Sequence, residues 1–185
     1  MSTRTISGYL AIIILSFLLY SIKPRNNIFY SSLPILMVMF PIIVGYRVKL
    51  RFSIKDLFLG VIVSVVILLP YYIILSPSPS PPPLEGGGWG WGVIFQLLLV
   101  ALPEEFFFRG FLQDSIGKNF RAVLIVSLLF SIAHLPKAVF LGEWVSLFSF
   151  FPSLIMGWLY MKTNNILPGT IFHLLANLVY HNASL

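Results

Sequence analysis

The chain has no cysteine, and only six acidic residues stand against twelve lysines and arginines in its 185 positions. Without cysteine there is no disulfide, no thiolate metal site and no cysteine nucleophile. With only 10% of residues charged, too little polar surface remains to cover a water-facing domain. Apolar residues take that place: 58% of the chain is hydrophobic and its mean hydropathy is +0.92, a composition that belongs in a bilayer. A net charge of +6 would suit nucleic acid as a partner. The basic residues, however, lie in short loops between apolar runs, where they set membrane topology, and no basic-aromatic patch interleaves them. No nucleic acid is expected.

A helix crossing a bilayer needs about 20 apolar residues. Runs of that kind lie at 6–22, 28–46 and 57–75, then at 93–113, 120–135, 141–162 and 168–180. The expected fold is therefore all-α, a polytopic membrane bundle of seven transmembrane helices, or eight if the sixth is broken near Pro152. No small-residue cleavage site follows the first run and Lys23 comes directly after it, so it reads as a retained helix rather than a signal peptide. Residues 76–92, SPSPSPPPLEGGGWGWG, are too rich in proline and glycine for a helix and read as an extended linker outside the membrane. They divide the chain into a three-helix anchor, 1–75, and a motif-bearing core, 93–185. With the N-terminus inside, the inner segments hold Arg4, Arg47, Lys49, Arg51, Lys55, Lys118, Arg121 and Lys162, and the outer ones Lys23, Arg25 and Lys137, which favours that orientation.

Glu104, Glu105 and Arg109 interrupt one of the greasy runs, VIFQLLLVALPEEFFFRGFLQ. Each ionisable side chain at membrane depth costs roughly 2.5 to 3.5 kcal/mol on insertion scales, so three within about two turns need a reason. Glu105 and Arg109 are four apart and meet on one helix face, while Glu104 points about 100° further round. Arg109 can therefore hold Glu105 as an ion pair and leave Glu104 free. A carboxylate without a full partner in an apolar wall shifts toward the range of a general acid or base. Pro103 cannot donate to the helix ladder and clashes with the carbonyl of Leu99, which predicts a bend just before the pair and a route for water. A purely structural salt bridge beside an ordinary proline kink would carry the same residues.

Three further polar residues lie in later helices. His134 closes LLFSIAHLP and precedes Pro136, near a helix end. His173 and Asn177, in PGTIFHLLANLVY, are four apart and share a face. An imidazole and a carboxamide on one face can donate to a developing oxyanion; such residues also bond helix to helix in membrane bundles.

Taken together, EEFFFR at 104–109, FSIAH at 130–134 and HLLAN at 173–177 strongly resemble the three motifs of the CPBP intramembrane protease family, also called the Abi or CAAX prenyl protease 2-like family. The resemblance covers roughly residues 90 to 180. It implies an intramembrane glutamic-type endopeptidase with Glu104 as the catalytic carboxylate, His134 as its partner in activating water, and His173 with Asn177 as the oxyanion site. Glu105 and Arg109 would support them. A membrane-associated polypeptide is the implied substrate, with prenylated CAAX tails, bacteriocin precursors and C-terminal sorting tails equally open, and a multi-pass protein of a bacterial or archaeal cell membrane is the implied setting.

Two chemistries fit these side chains. Glu104 and His134 can deprotonate a water directly, with no cofactor, while His173 and Asn177 hold the tetrahedral oxygen. Alternatively, carboxylates and histidines can ligate zinc and its bound water. The chain has no His-Glu-x-x-His helix, adjacent glutamates diverge by about 100°, and a site using all four ligands would leave no open position for water. The metal-free route is favoured. Two readings from other classes are a non-catalytic immunity or assembly protein, and a small transporter with Glu104 and His134 as a proton relay; the paired broken helices of a transporter are not seen in the sequence.

Overall fold

The computed structural model describes residues 2–23, 27–75 and 88–182, and among these every regular element is helical. Seven helices result. The first, α1 (Thr3–Ile22), starts because Ser2 caps it, its side chain accepting from the Thr5 amide at 3.2 Å, and stops at Lys23 in the left-handed region. A 3₁₀ turn, Asn27–Ser31, leads into α2 (Ser32–Ile43). After α3 (Ile54–Leu75) comes α4, continuous from 88 to 116. Asn119 caps the next helix, accepting from the Ala122 amide at 2.9 Å. That helix, α5 (Phe120–Leu141), changes winding at His134. The last two are α6 (Trp144–Thr163) and α7 (Leu167–Asn182).

Four of the seven, Thr3–Ile22, Ile54–Ile74, Phe120–Leu141 and Trp144–Thr163, are long and apolar enough to cross a membrane; Phe29–Ile43 and Leu167–Tyr180 are shorter apolar helices. The polytopic membrane bundle expected from the sequence is thus what the chain forms. Several boundaries differ. The linker reading of 76–92 fails at its end: residues 88–92 are helical and open α4, while 76–87 lie outside the described residues. The sixth helix does not begin at 141, because residues Leu135–Leu141 continue α5 beyond His134 and a 3₁₀ stretch, Trp144–Ser149, starts α6. Pro152 does not break α6. It lies in the first turn of the segment Phe150–Thr163, where the amide it lacks would have no helical partner in any case.

α7 lies inside the bundle against α3, α4 and α6, and α5 packs along α6 and α4. Bare glycine backbone makes the α3–α7 contact possible, since a Cβ on Gly60 would lie 2.9 Å from the Pro168 Cα. Aromatic rings fill the centre: Phe107, Phe108, Phe111, Phe130 and Phe172 are all buried. The outer faces are apolar as well, with Val66, Ile73 and Phe148 exposed, as lipid contact requires and water would penalise.

At the end of the bundle where α4 finishes, the segment joining α2 to α3 is tied down at two points. Asp114 accepts from Tyr46 and forms an ion pair with Lys49 at 3.0 Å. Asn165 donates to the Arg51 carbonyl at 2.7 Å and to Asp56 at 3.1 Å.

Candidate active site

The charged helix is not a regular α-helix. Residues Gln96–Ala101 and Phe106–Gln113 are wound as π-helix, on either side of a short α-turn, Leu102–Glu105, that carries Pro103 and both glutamates. The sequence predicts a bend at Pro103; what the structure shows beside it is a change of winding, with the Leu102 amide bonded back to the Leu97 carbonyl.

Glu105 and Arg109 pair as their spacing predicts, with Nη1 3.2 Å from Oε1 and both side chains fully buried. The sequence did not reveal what else holds them. Arg109 Nη2 donates to Ser153 Oγ at 2.9 Å and to the Ser153 carbonyl at 3.2 Å, and the guanidinium lies 4.8 Å over the Phe130 ring. One side chain therefore joins α4, α5 and α6. Ser153 carried no signal beyond being a hydroxyl in an apolar helix.

Glu104 is left as the argument from spacing expects. Its side chain keeps 20% of its surface exposed against none for Glu105, and its Oε2 is buried without a hydrogen-bond partner. The nearest imidazole belongs to His173, whose Nε2 lies 3.7 Å from that oxygen while its Nδ1 lies 3.3 Å from Glu105 Oε1. His173 thus stands between the two glutamates. Glu105 Oε1, which Arg109 also faces, accepts in this contact, so Nδ1 carries the proton and donates, and the ring turns Nε2 toward Glu104.

His134 sits at the junction of the two halves of α5. Its Nδ1 is 2.9 Å from the Phe130 carbonyl. A carbonyl only accepts, so Nδ1 is protonated and the lone pair of the neutral ring is on Nε2. The ring packs 4.8 Å from Phe130, which in turn meets His173 at 5.8 Å.

Asn177 lies one turn beyond His173 on α7 and also turns toward α4, where Nδ2 donates to Gln96 Oε1 at 3.3 Å. α7 runs antiparallel to α4, so one step along α7 from His173 leads back along α4 from Glu104. Gln96 was not singled out from the sequence. Its signal was available: it is the one amide in VIFQLLLVA, and a polar side chain in an apolar span calls for a partner.

The structure thus brings Glu104, Glu105, Arg109, His134 and His173 together around Phe130, with Asn177 one turn away. Among the described residues no three histidines, aspartates or glutamates converge as ligands of one ion would.

Residues 86–179, which include every one of these side chains, match the family described as type II CAAX prenyl endopeptidase Rce1-like. The chain is also 35% identical over 81 residues to the UPF0177 protein YxdF of Lactococcus lactis subsp. lactis (strain IL1403), a stretch that is 44% of this chain and 43% of that protein. The chain thus matches less than half the length of this curated relative. No solved structure matches it.

Proposed function

The chain belongs to the Rce1-like family of type II CAAX prenyl endopeptidases, and from that premise we propose that it is an intramembrane endopeptidase in which Glu104 activates the water that cleaves a membrane-associated polypeptide. The observation that carries this reading is the contrast between two adjacent carboxylates. Glu105 is paired with Arg109, whereas Glu104 meets only the His173 imidazole, at 3.7 Å, and keeps 20% of its side-chain surface exposed. A carboxylate with no arginine or lysine beside it at this depth costs free energy that packing must offset, which favours a functional reason for Glu104.

In the proposed reaction a water between Glu104 and His134 gives its proton to the Glu104 carboxylate, and its oxygen attacks the scissile carbonyl carbon. His134 Nε2, unprotonated in the tautomer its Phe130 contact selects, accepts a hydrogen bond from the same water and orients it. The carbonyl oxygen becomes an oxyanion stabilised by Asn177 Nδ2–H and by His173 Nε2–H, the latter with the ring as an imidazolium whose Nδ1–H stays on Glu105. Collapse of the tetrahedral intermediate breaks the C–N bond, and the proton held on Glu104 passes to the leaving amine. Glu105 holds His173 in orientation, and Arg109 holds Glu105.

The test is Glu104→Gln, nearly isosteric but unable to take the water's proton. Membrane and secreted proteomes of cells carrying either protein should differ in a polypeptide whose uncut tail accumulates only with the variant. The purified variant should remain monodisperse in detergent with no measurable cleavage. Retention of half the wild-type turnover would remove Glu104 from the mechanism.

A further inference from the structure

We propose that Gln96 is a positioning residue for the same reaction: it fixes the carboxamide of Asn177 so that an N–H, rather than the carbonyl, faces the reacting oxygen. The inference rests on the oxyanion role given to Asn177 above. A carboxamide is ambiguous by nature, since a half turn about its last bond exchanges a donor for an acceptor. Only the donor end can stabilise an oxyanion; the carbonyl end would repel it.

Gln96 supplies what settles that choice. Its Oε1 accepts from Asn177 Nδ2 at 3.3 Å, so turning Asn177 alone would set two carbonyl oxygens against each other, and only a joint turn of both amides would keep the bond. Nδ2 carries a second hydrogen, which stays available to a substrate oxygen. Placement agrees with this. Phe95 and Leu98 on either side of Gln96 are exposed on the outer face, while Gln96 is turned inward to α7. It is also the first residue of the π-wound stretch Gln96–Ala101, and such stretches recur where a helix must aim a side chain at a site.

A bond that merely joins α4 to α7 would look the same in the structure, so the test must separate positioning from helix contact. Gln96→Met keeps length and volume and removes the acceptor, and Gln96→Leu is a second variant in case the first misassembles. Both are compared with Asn177→Ala and with the double variant Gln96→Met/Asn177→Ala. The assay uses monodisperse detergent fractions and a quenched fluorescent peptide spanning the cleavage site of the polypeptide that accumulates with Glu104→Gln.

Gln96→Met should lower kcat about 5- to 10-fold, the worth of one hydrogen bond, with KM unchanged. Asn177→Ala should lower it about 10²- to 10³-fold. The double variant should be no slower than Asn177→Ala alone, because Gln96 has nothing left to position. Unchanged kcat in both Gln96 variants, a loss confined to KM, or losses that multiply in the double variant would each overturn the proposal. Full activity of Asn177→Ala would overturn it too, and loss of cleavage by Glu104→Gln in the same preparation would show that the protease reading survives that failure.

Discussion

Replacing Arg109 by alanine tests the buried frame of the site. The guanidinium has no exposed surface and joins three helices: Nη1 to Glu105 at 3.2 Å, Nη2 to Ser153 Oγ at 2.9 Å, and the Phe130 face at 4.8 Å. Truncation leaves the Glu105 carboxyl in an apolar interior with only His173 Nδ1, 3.3 Å away, as a partner. Removing one partner of a buried pair costs about 3 to 5 kcal/mol, chiefly because the other charge stays behind uncompensated. For a chain of this length each kcal/mol shifts Tm by roughly 2 to 4 °C, so Arg109→Ala should melt roughly 6 to 20 °C below wild type. Thermal unfolding in detergent, followed by size exclusion of the heated sample, measures the shift. The double variant Glu105→Gln/Arg109→Gln removes both charges and should melt above Arg109→Ala, because a neutral amide left in place costs less than a lone carboxylate. A single variant within about 2 °C of wild type, or a double variant that melts no higher than Arg109→Ala, would refute the claim that the pair is a coupled buried charge.

If Glu104 acts on water directly, purified protein should cleave with strong chelators present and carry far less than one transition metal per chain by elemental analysis; zinc that is stoichiometric, lost together with activity on chelation and restored by adding it back would move Glu104, His134 and His173 into a metal's coordination sphere. The tie at Asp114, just past the span at 93–113, should respond to pH. Burial pushes its carboxyl up, but hydrogen bonds from Tyr46 and Lys49 outweigh that and hold the pKa below the ordinary carboxylate value. A depressed folded-state pKa stabilises the fold fully above the ordinary carboxylate range and loses that contribution as pH falls toward the folded value. Hydrogen-exchange protection in residues 44–53, taken relative to the intrinsic rate at each pH, should therefore fall on acidification below about pH 4, and Asp114→Asn should show the lower protection already at neutral pH. An Asp114→Asn profile that overlays wild type at neutral pH would show that the tie does not hold this segment.

The sequence alone determined the solvent, the secondary structure and one contact. Charge scarcity and runs of about 20 apolar residues leave a chain no option but helices in a bilayer, where each backbone group must be satisfied within its own segment. The Glu105–Arg109 pair and the unpartnered state of Glu104 were legible for a related reason. Both follow from the period of a single helix, which fixes neighbours four residues apart wherever that helix is later placed. Helix ends were less legible: Leu135–Leu141 extends α5 past His134 and residues 88–92 extend α4, because packing in lipid tolerates the glycines and prolines that would end a helix in water.

Only the tertiary structure decided which imidazole faces Glu104. Spacing along α5 and α7 says nothing of their rotation about α4, and it is the packing of α7 against α3, α4 and α6 that brings His173 between two glutamates and Asn177 to Gln96. The tautomer of His134 was likewise beyond the sequence, since the Phe130 carbonyl that sets it is released for bonding only where the helix changes winding at residue 134. Ser153 meets Arg109 from 44 residues away in the chain, a contact that no local periodicity encodes.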